Sequence, residues 1–188
     1  GGAMRIIRHA ALTPAPWRDG GGITHEIASV SDDCGLLWRL SLAEIDRNGP
    51  FSAFPGLHRI LTVVAGGGLV LDLPDGPRRA TRLCPVAFDG AVPVAARLTQ
   101  GAVRALNLMC RKDVIASVAT LSGGVRHLVA AGPGETFAIH IVSGGAIGNG
   151  AALEPGDTVL CAGTFDLPPG GAAVCISIAH RPAGPAAK

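Results

Sequence analysis

Short apolar runs of roughly five to eight residues, the ordinary length of a strand, recur along the whole chain, separated by glycine and proline. Residues 60–64, 69–73, 137–142, 158–161 and 174–179 are rich in Val, Ile, Leu and Thr and predict strands. Each is bounded by a turn signal, among them Gly66-Gly67-Gly68, Pro74-Asp75-Gly76-Pro77, Pro155-Gly156-Asp157 and Pro168-Pro169-Gly170-Gly171. Only residues 112–121 offer a helical alternative, short and poorly capped. The pattern therefore predicts an all-β sandwich or barrel.

A faint internal repeat sharpens this. The run 58–64 is followed by glycines, a turn and then 83–90; the run 137–142 is followed by Ser143-Gly144-Gly145 and then 153–160. Strand, glycine turn, strand and a Pro-containing turn into another strand is the order of a jelly roll, met twice. The expected organisation is an expression scar at 1–3, an N-terminal half at 4–111 and a C-terminal half at 112–188, the halves forming one compact unit.

Period-two alternation assigns faces in the first half. Thr24, Glu26 and Ala28 share one face and Ile23, His25 and Ile27 the other; Arg39, Ser41 and Ala43 lie opposite Trp38, Leu40 and Leu42. If the chain reverses symmetrically at Asp32-Asp33, Glu26 stands across from Arg39 and Thr24 across from Ser41. This reads as a polar barrel lining in which Glu26 orients Arg39 toward an anion, or as a solvated ion pair on the outer surface. The first reading is preferred, because the motif lies among glycines and tryptophans that suit a ligand rim.

Gly20, Gly21 and Gly22, after Trp17, either bring backbone N–H groups close to a ligand or form a turn where no side chain fits. No GK[ST] follows, so this is not a phosphate loop. Ser52, Phe54 and Pro55 are expected to shape one mouth of the barrel. Arg59 is a second anion contact or a solvated flank. Asn107 either reaches a ligand from the wall or is a satisfied core amide, and Phe88-Asp89-Gly90 reads as a turn in preference to a catalytic acid.

Three segments carry a more specific signal: residues 17–27 (Trp-Arg-Asp-Gly-Gly-Gly-Ile-Thr-His-Glu-Ile), 38–43 (Trp-Arg-Leu-Ser-Leu-Ala) and 49–59 (Gly-Pro-Phe-Ser-Ala-Phe-Pro-Gly-Leu-His-Arg). With Phe88-Asp89-Gly90 and Leu106-Asn107-Leu108-Met109 they resemble the HutD family of histidine-utilisation proteins, which also includes the Ves proteins. The resemblance covers about residues 4–111 strongly and the remainder as a cupin-like second half. It implies a double-stranded β-helix (cupin) fold with two cupin-like halves, and a role in restraining histidine catabolism by sensing an intermediate. Asp19 and His58 depart from the family pattern, where Asn and Asp are expected.

Composition narrows the function. Sixteen Lys and Arg against fourteen Asp and Glu, dispersed and without any Tyr, do not form the basic, aromatic stripe of a nucleic-acid binder. No apolar run approaches the roughly 20 residues of a membrane span, and no leader pattern precedes the fold, so a cytoplasmic protein is expected. Five widely spaced cysteines without a CxxC pair argue against disulfides or structural zinc. The six histidines never pair on one strand face as a cupin metal site requires, so no metal and no cofactor are expected. Epimerase chemistry would need a tyrosine acid.

The site expected from these readings comprises Trp17, Gly21, Gly22, Thr24, Glu26, Arg39, Ser41, Ser52, Phe54, His58, Arg59 and Asn107, with no catalytic residue. The expected function is non-enzymatic binding of a small carboxylate such as urocanate or formylglutamate, in a monomer or homodimer. The alternatives are a metal-independent hydrolase, isomerase or lyase acting on such a metabolite, and a protein-interaction module.

Overall fold

Alternating apolar and polar positions become paired strands wherever a neighbour can satisfy their backbone groups. The structure is a computed structural model that describes residues 4–160 and 163–180. In chain order the strands are β1 (Arg5–Ile7), β2 (Pro14–Pro16), β3 (Gly22–Asp32), β4 (Gly35–Ile45), β5 (Gly49–Pro50), β6 (Leu57–Ala65), β7 (Leu69–Leu73), β8 (Gly76–Ala80), β9 (Val86–Asp89), β10 (Ala95–Leu98) and β11 (Val103–Arg111). They continue as β12 (Val114–Ser122), β13 (Arg126–Val129), β14 (Glu135–Ser143), β15 (Ala146–Gly148), β16 (Ala151–Leu153), β17 (Thr158–Leu160), β18 (Gly163–Asp166) and β19 (Ala172–His180). A single 3₁₀ turn, His9–Ala11, is the one helical element among the described residues. The expected strands fall within β6, β7, β14, β17 and β19, although Cys161, the last residue of one of them, lies outside the described residues.

The strands form four antiparallel sheets. A six-stranded sheet (β2-β3-β4-β11-β6-β9) and a four-stranded one (β5-β10-β7-β8) enclose Leu61, Val63, Leu69, Leu71 and Val103. A five-stranded sheet (β1-β17-β14-β19-β12) and a second four-stranded one (β13-β18-β15-β16) enclose Ile139, Ile141, Val159 and Phe165. The two larger sheets share a third apolar layer, in which Leu40, Leu42, Leu106 and Leu108 join Ala138, Val174, Ile176 and Ile178. Each large sheet is thus buried on both faces, which is why its strands carry long apolar runs.

One open alternative is decided, and two features differ from expectation. Residues 112–121 form no helix: β12 pairs with β19 from Val114↔His180 to Ser122↔Ala172. Its alternating Val114, Ala116 and Val118 pack into the shared layer, a tertiary gain that overrides weak local propensity. The β3–β4 hairpin reverses at Asp33-Cys34, one residue later than expected. The Cys34 N–H donates to Asp32 Oδ1 (2.8 Å), and Gly35 takes φ +110°, a region that favours glycine. Glu26 therefore stands opposite Ser41 and Thr24 opposite Ala43, with a bulge between Glu26 and Ala28. Finally, β1 pairs with β17 in the second lobe's sheet. Arg8 Nη1 and the His9 N–H reinforce that crossing by donating to the Asp157 carboxylate at 2.8 and 3.0 Å.

Candidate functional site

The interior of the first lobe is apolar at one end and open at the other, where a cavity of about 520 Å³ lies against the six-stranded sheet. Its floor follows from strand register. One cross-strand row reads Arg59, Met109, Arg39, and the next reads Leu61, Asn107, Ser41, Glu26. Two arginines therefore flank Met109 on the barrel face, with Ser41 and Asn107 one row away. Trp17, Thr24, Phe51, Ser52 and Phe54 complete the wall, with Arg18 and Asp19 at the rim.

Arg59 is the unusual member. It is only 5% exposed, and its guanidinium carbon lies 5.4, 5.2 and 4.9 Å from the ring centres of Phe51, Phe54 and Phe88. Its side-chain hydrogen bond goes from Nη1 to Ser52 O (3.1 Å), and its buried Nε donates to nothing among the described residues. No carboxylate among those residues pairs with it. Burial lowers its pKa to about 10, which leaves it cationic at neutral pH. A buried cation held by aromatic faces is stabilised by their quadrupoles, yet it keeps a large unmet demand for an anion.

Arg39 is half-exposed and lies 2.9 Å, Nε to Oε1, from the exposed Glu26. The N–H direction misses the oxygen, so Nε has no hydrogen-bond partner among the described residues. Asn107 Oδ1 is likewise buried and without a partner among the described residues. Three orphaned polar atoms thus border one cavity, where buried polar groups are ordinarily satisfied. Trp17 is fixed as a side wall: its Nε1 donates to Thr24 Oγ1 (2.7 Å) and its ring meets Phe51 edge-on.

Of the residues expected from sequence, Trp17, Thr24, Arg39, Ser41, Ser52, Phe54, Arg59 and Asn107 meet around this cavity, whereas Gly21, Gly22, Glu26 and His58 do not line it. Gly21 and Gly22 are buried under Trp17. A Cβ on Gly22 would sit 2.8 Å from Glu44 O and 3.0 Å from the indole, so this glycine is a packing requirement. The Gly20 N–H donates to Trp17 O and the Gly21 N–H to Asp19 Oδ1, so both groups serve the turn itself. His58, next to Arg59, points to the other face of β6 and is exposed. Sequence reasoning did not foresee Phe51 or Phe88 as ring neighbours of Arg59. The aromatic spacing within residues 49–59 was the available sign for Phe51.

Three arginines against one aspartate make the lining cationic. It contains no His, Cys, Lys or Glu, so it offers orienting groups and apolar walls but no proton-transfer pair. Nor does this donor set fit a divalent cation, which guanidinium groups repel and which calls for carboxylate or imidazole ligands. Among the described residues no three His, Cys, Asp or Glu side chains are placed to hold one.

Paired antiparallel sheets rolled around a common interior define the cupin class, the double-stranded β-helix, here present twice, with the open pocket in the first lobe. The HutD family model matches residues 9–175, and the chain belongs to the HutD family. HutD from Pseudomonas fluorescens SBW25, in a structure from a formate condition, superposes with a TM-score of 0.83 at 29% identity, covering 96% of this chain and all of that one. A bacterial pirin, YhhW from Escherichia coli in complex with nickel(II), shares the fold at a TM-score of 0.71 and 7% identity, over 95% of this chain and all of that one. An uncharacterized 21.2 kDa protein in the hutC 3' region of Pseudomonas putida is 39% identical over 111 residues, 56% of this chain and 57% of that protein. The protein Ves of Cronobacter sakazakii is 39% identical over 100 residues, 52% of this chain and 55% of its own length. The chain thus spans little more than half of those two relatives. Family membership links it to histidine utilisation. Among the described residues no helix is long and apolar enough to cross a membrane.

Proposed function

We propose that this protein is a non-enzymatic, cytoplasmic binder of a small carboxylate metabolite of histidine breakdown, urocanate and formylglutamate being the leading candidates. The observation that carries the reading is Arg59: a buried guanidinium, ringed by three phenylalanines and without a carboxylate partner among the described residues, at the wall of a cavity of about 520 Å³. That volume lies within the ~300–1,000 Å³ range of small-molecule sites. A planar fork of donors suits a carboxylate, which Lys would meet only as a point charge. Arg39 at the mouth supplies a second cation, and the Asn107 amide and Ser41 hydroxyl supply polar contacts between the two. A catalytic reading would need a nucleophile paired with a base, and the wall hydroxyls of Ser41 and Ser52 have no imidazole, amine or thiol beside them in the lining.

A thermal-shift screen of histidine-pathway carboxylates tests this. A ligand at 100 times its Kd stabilises the fold by about 2.7 kcal/mol, and that shift should vanish in Arg59→Met. A screen in which no carboxylate raises the melting temperature, or in which Arg59→Met responds like the parent, refutes the proposal.

A further inference from the structure

We infer that β12 is a self-pairing edge, through which two copies of this chain join their five-stranded sheets antiparallel across a two-fold axis. An edge strand presents unpaired N–H and C=O groups, and proteins that stay monomeric blunt such edges by shortness, proline, charge or cover. The other sheet edges here follow that rule. β2 is Pro14-Ala15-Pro16, β1 and β16 have three residues each, and β5 has two. β9 and β13 have four each, and β8 carries Pro77, Arg78 and Arg79.

β12 is the exception. It lies at the sheet edge for nine residues, Val-Ile-Ala-Ser-Val-Ala-Thr-Leu-Ser, with no charge and no proline. No strand among the described residues pairs with its outer side. It is well held on its inner side by nine pairs with β19, and Thr120 Oγ1 ties it to the first lobe by donating to Leu83 O (3.0 Å). A fixed template with a bare edge is thereby offered to a partner.

The sequence of the strand says which partner. Antiparallel pairing of the strand with itself about Val118 sets Ile115 beside Leu121 and Ser117 beside Ala119, apolar or small against apolar or small. No charge on either strand meets a like charge. Two of the five exposed large apolar side chains among the described residues, Ile115 at 60% and Val125 at 58%, lie on this strand and just past its end. A two-fold contact is isologous, so one patch serves both copies.

The experiment is light scattering coupled to size-exclusion chromatography on the full chain, compared with Ser117→Lys/Ala119→Lys, which changes two exposed positions close to the proposed axis. The parent should travel at twice the chain mass and the variant at the chain mass, with the far-ultraviolet spectrum retained. Amide hydrogen exchange on the unmodified chain gives a readout independent of variant folding. Alternate β12 amides should lose protection on dilution while β19 stays protected. A parent that is monomeric at submillimolar concentration, a dimer that persists in the folded lysine variant, or β12 exchange insensitive to dilution overturns the inference.

Discussion

Arg39 Nε and Glu26 Oε1 lie 2.9 Å apart although the two residues are not opposite each other: the hairpin register sets Glu26 across from Ser41 and Arg39 across from Ser29. The ion pair is a diagonal reach across a bulged ladder, between groups that are 39% and 52% exposed. Arg39 is tethered at the mouth of the cavity, while the desolvated charge sits two strands away at Arg59.

That division orders the mutational effects. Arg59→Ala should cost the carboxylate complex the most, about 2–5 kcal/mol, as expected when one member of a buried charge pair is removed. Arg39→Ala should cost less, Arg39→Lys less again, and Glu26→Gln least. Calorimetric titration of the four variants checks the order, and an Arg39→Ala loss equal to that of Arg59→Ala would place the main contact at the mouth.

Removing the buried charge should not harm the fold. Arg59→Met keeps roughly the length of the side chain and lifts the desolvation penalty of an unpaired buried ion, which is on the order of several kcal/mol and outweighs the ring contacts it gives up. Urea unfolding of the ligand-free protein should give a midpoint equal to or above that of the parent. A clear drop would mean that Arg59 is there for architecture.

Acid should weaken the junction between the lobes. His140 is 1% exposed, its Nδ1 is 2.9 Å from Thr158 Oγ1, and burial with help from His9 and Arg104 lowers its pKa to about 4. The unfolded chain takes up this proton near pH 6.5, and the folded chain only near 4. Stability is therefore whole above 6.5 and falls as pH drops toward 4, by on the order of 3 kcal/mol at most. His140→Gln, which can still bond Thr158, should flatten that slope between pH 7 and 5 in urea melts.

Trp17 should report occupancy. It lines the cavity, whereas Trp38, the other tryptophan, is 5% exposed in the shared apolar layer. Carboxylate binding should alter fluorescence in the parent and in Trp38→Phe but not in Trp17→Phe.

The strands and the polar face of the first lobe were legible because period-two alternation and glycine turns are local signals. Arg39, Ser41 and Thr24 share the cavity as their parity implied. The register was not legible, since whether the chain reverses at Asp32-Asp33 or Asp33-Cys34 depends on one Asx hydrogen bond and a positive φ at Gly35. The surroundings of Arg59 were hidden for another reason. Phe51 and Phe54 precede it closely, but Phe88 arrives through the β6–β9 pairing, with Arg59 directly across from it. Residues 112–121 stayed open between strand and helix because an isolated run of small residues carries no sign that a neighbour will receive it, and the pairing with β19 decides it.

The crossing of β1 into the second lobe sets the order of events at the ribosome. Arg8 and Asp157, which lock that crossing, are 149 positions apart, so β1 has no sheet to enter until β17 has been synthesised. Pairings of such sequence separation close late and slow the search for the native state. β1 must therefore wait in the open, and its docking onto β17 is a late step of folding. A lesion in either segment should show up first in the yield of soluble protein rather than in the properties of the molecules that succeed.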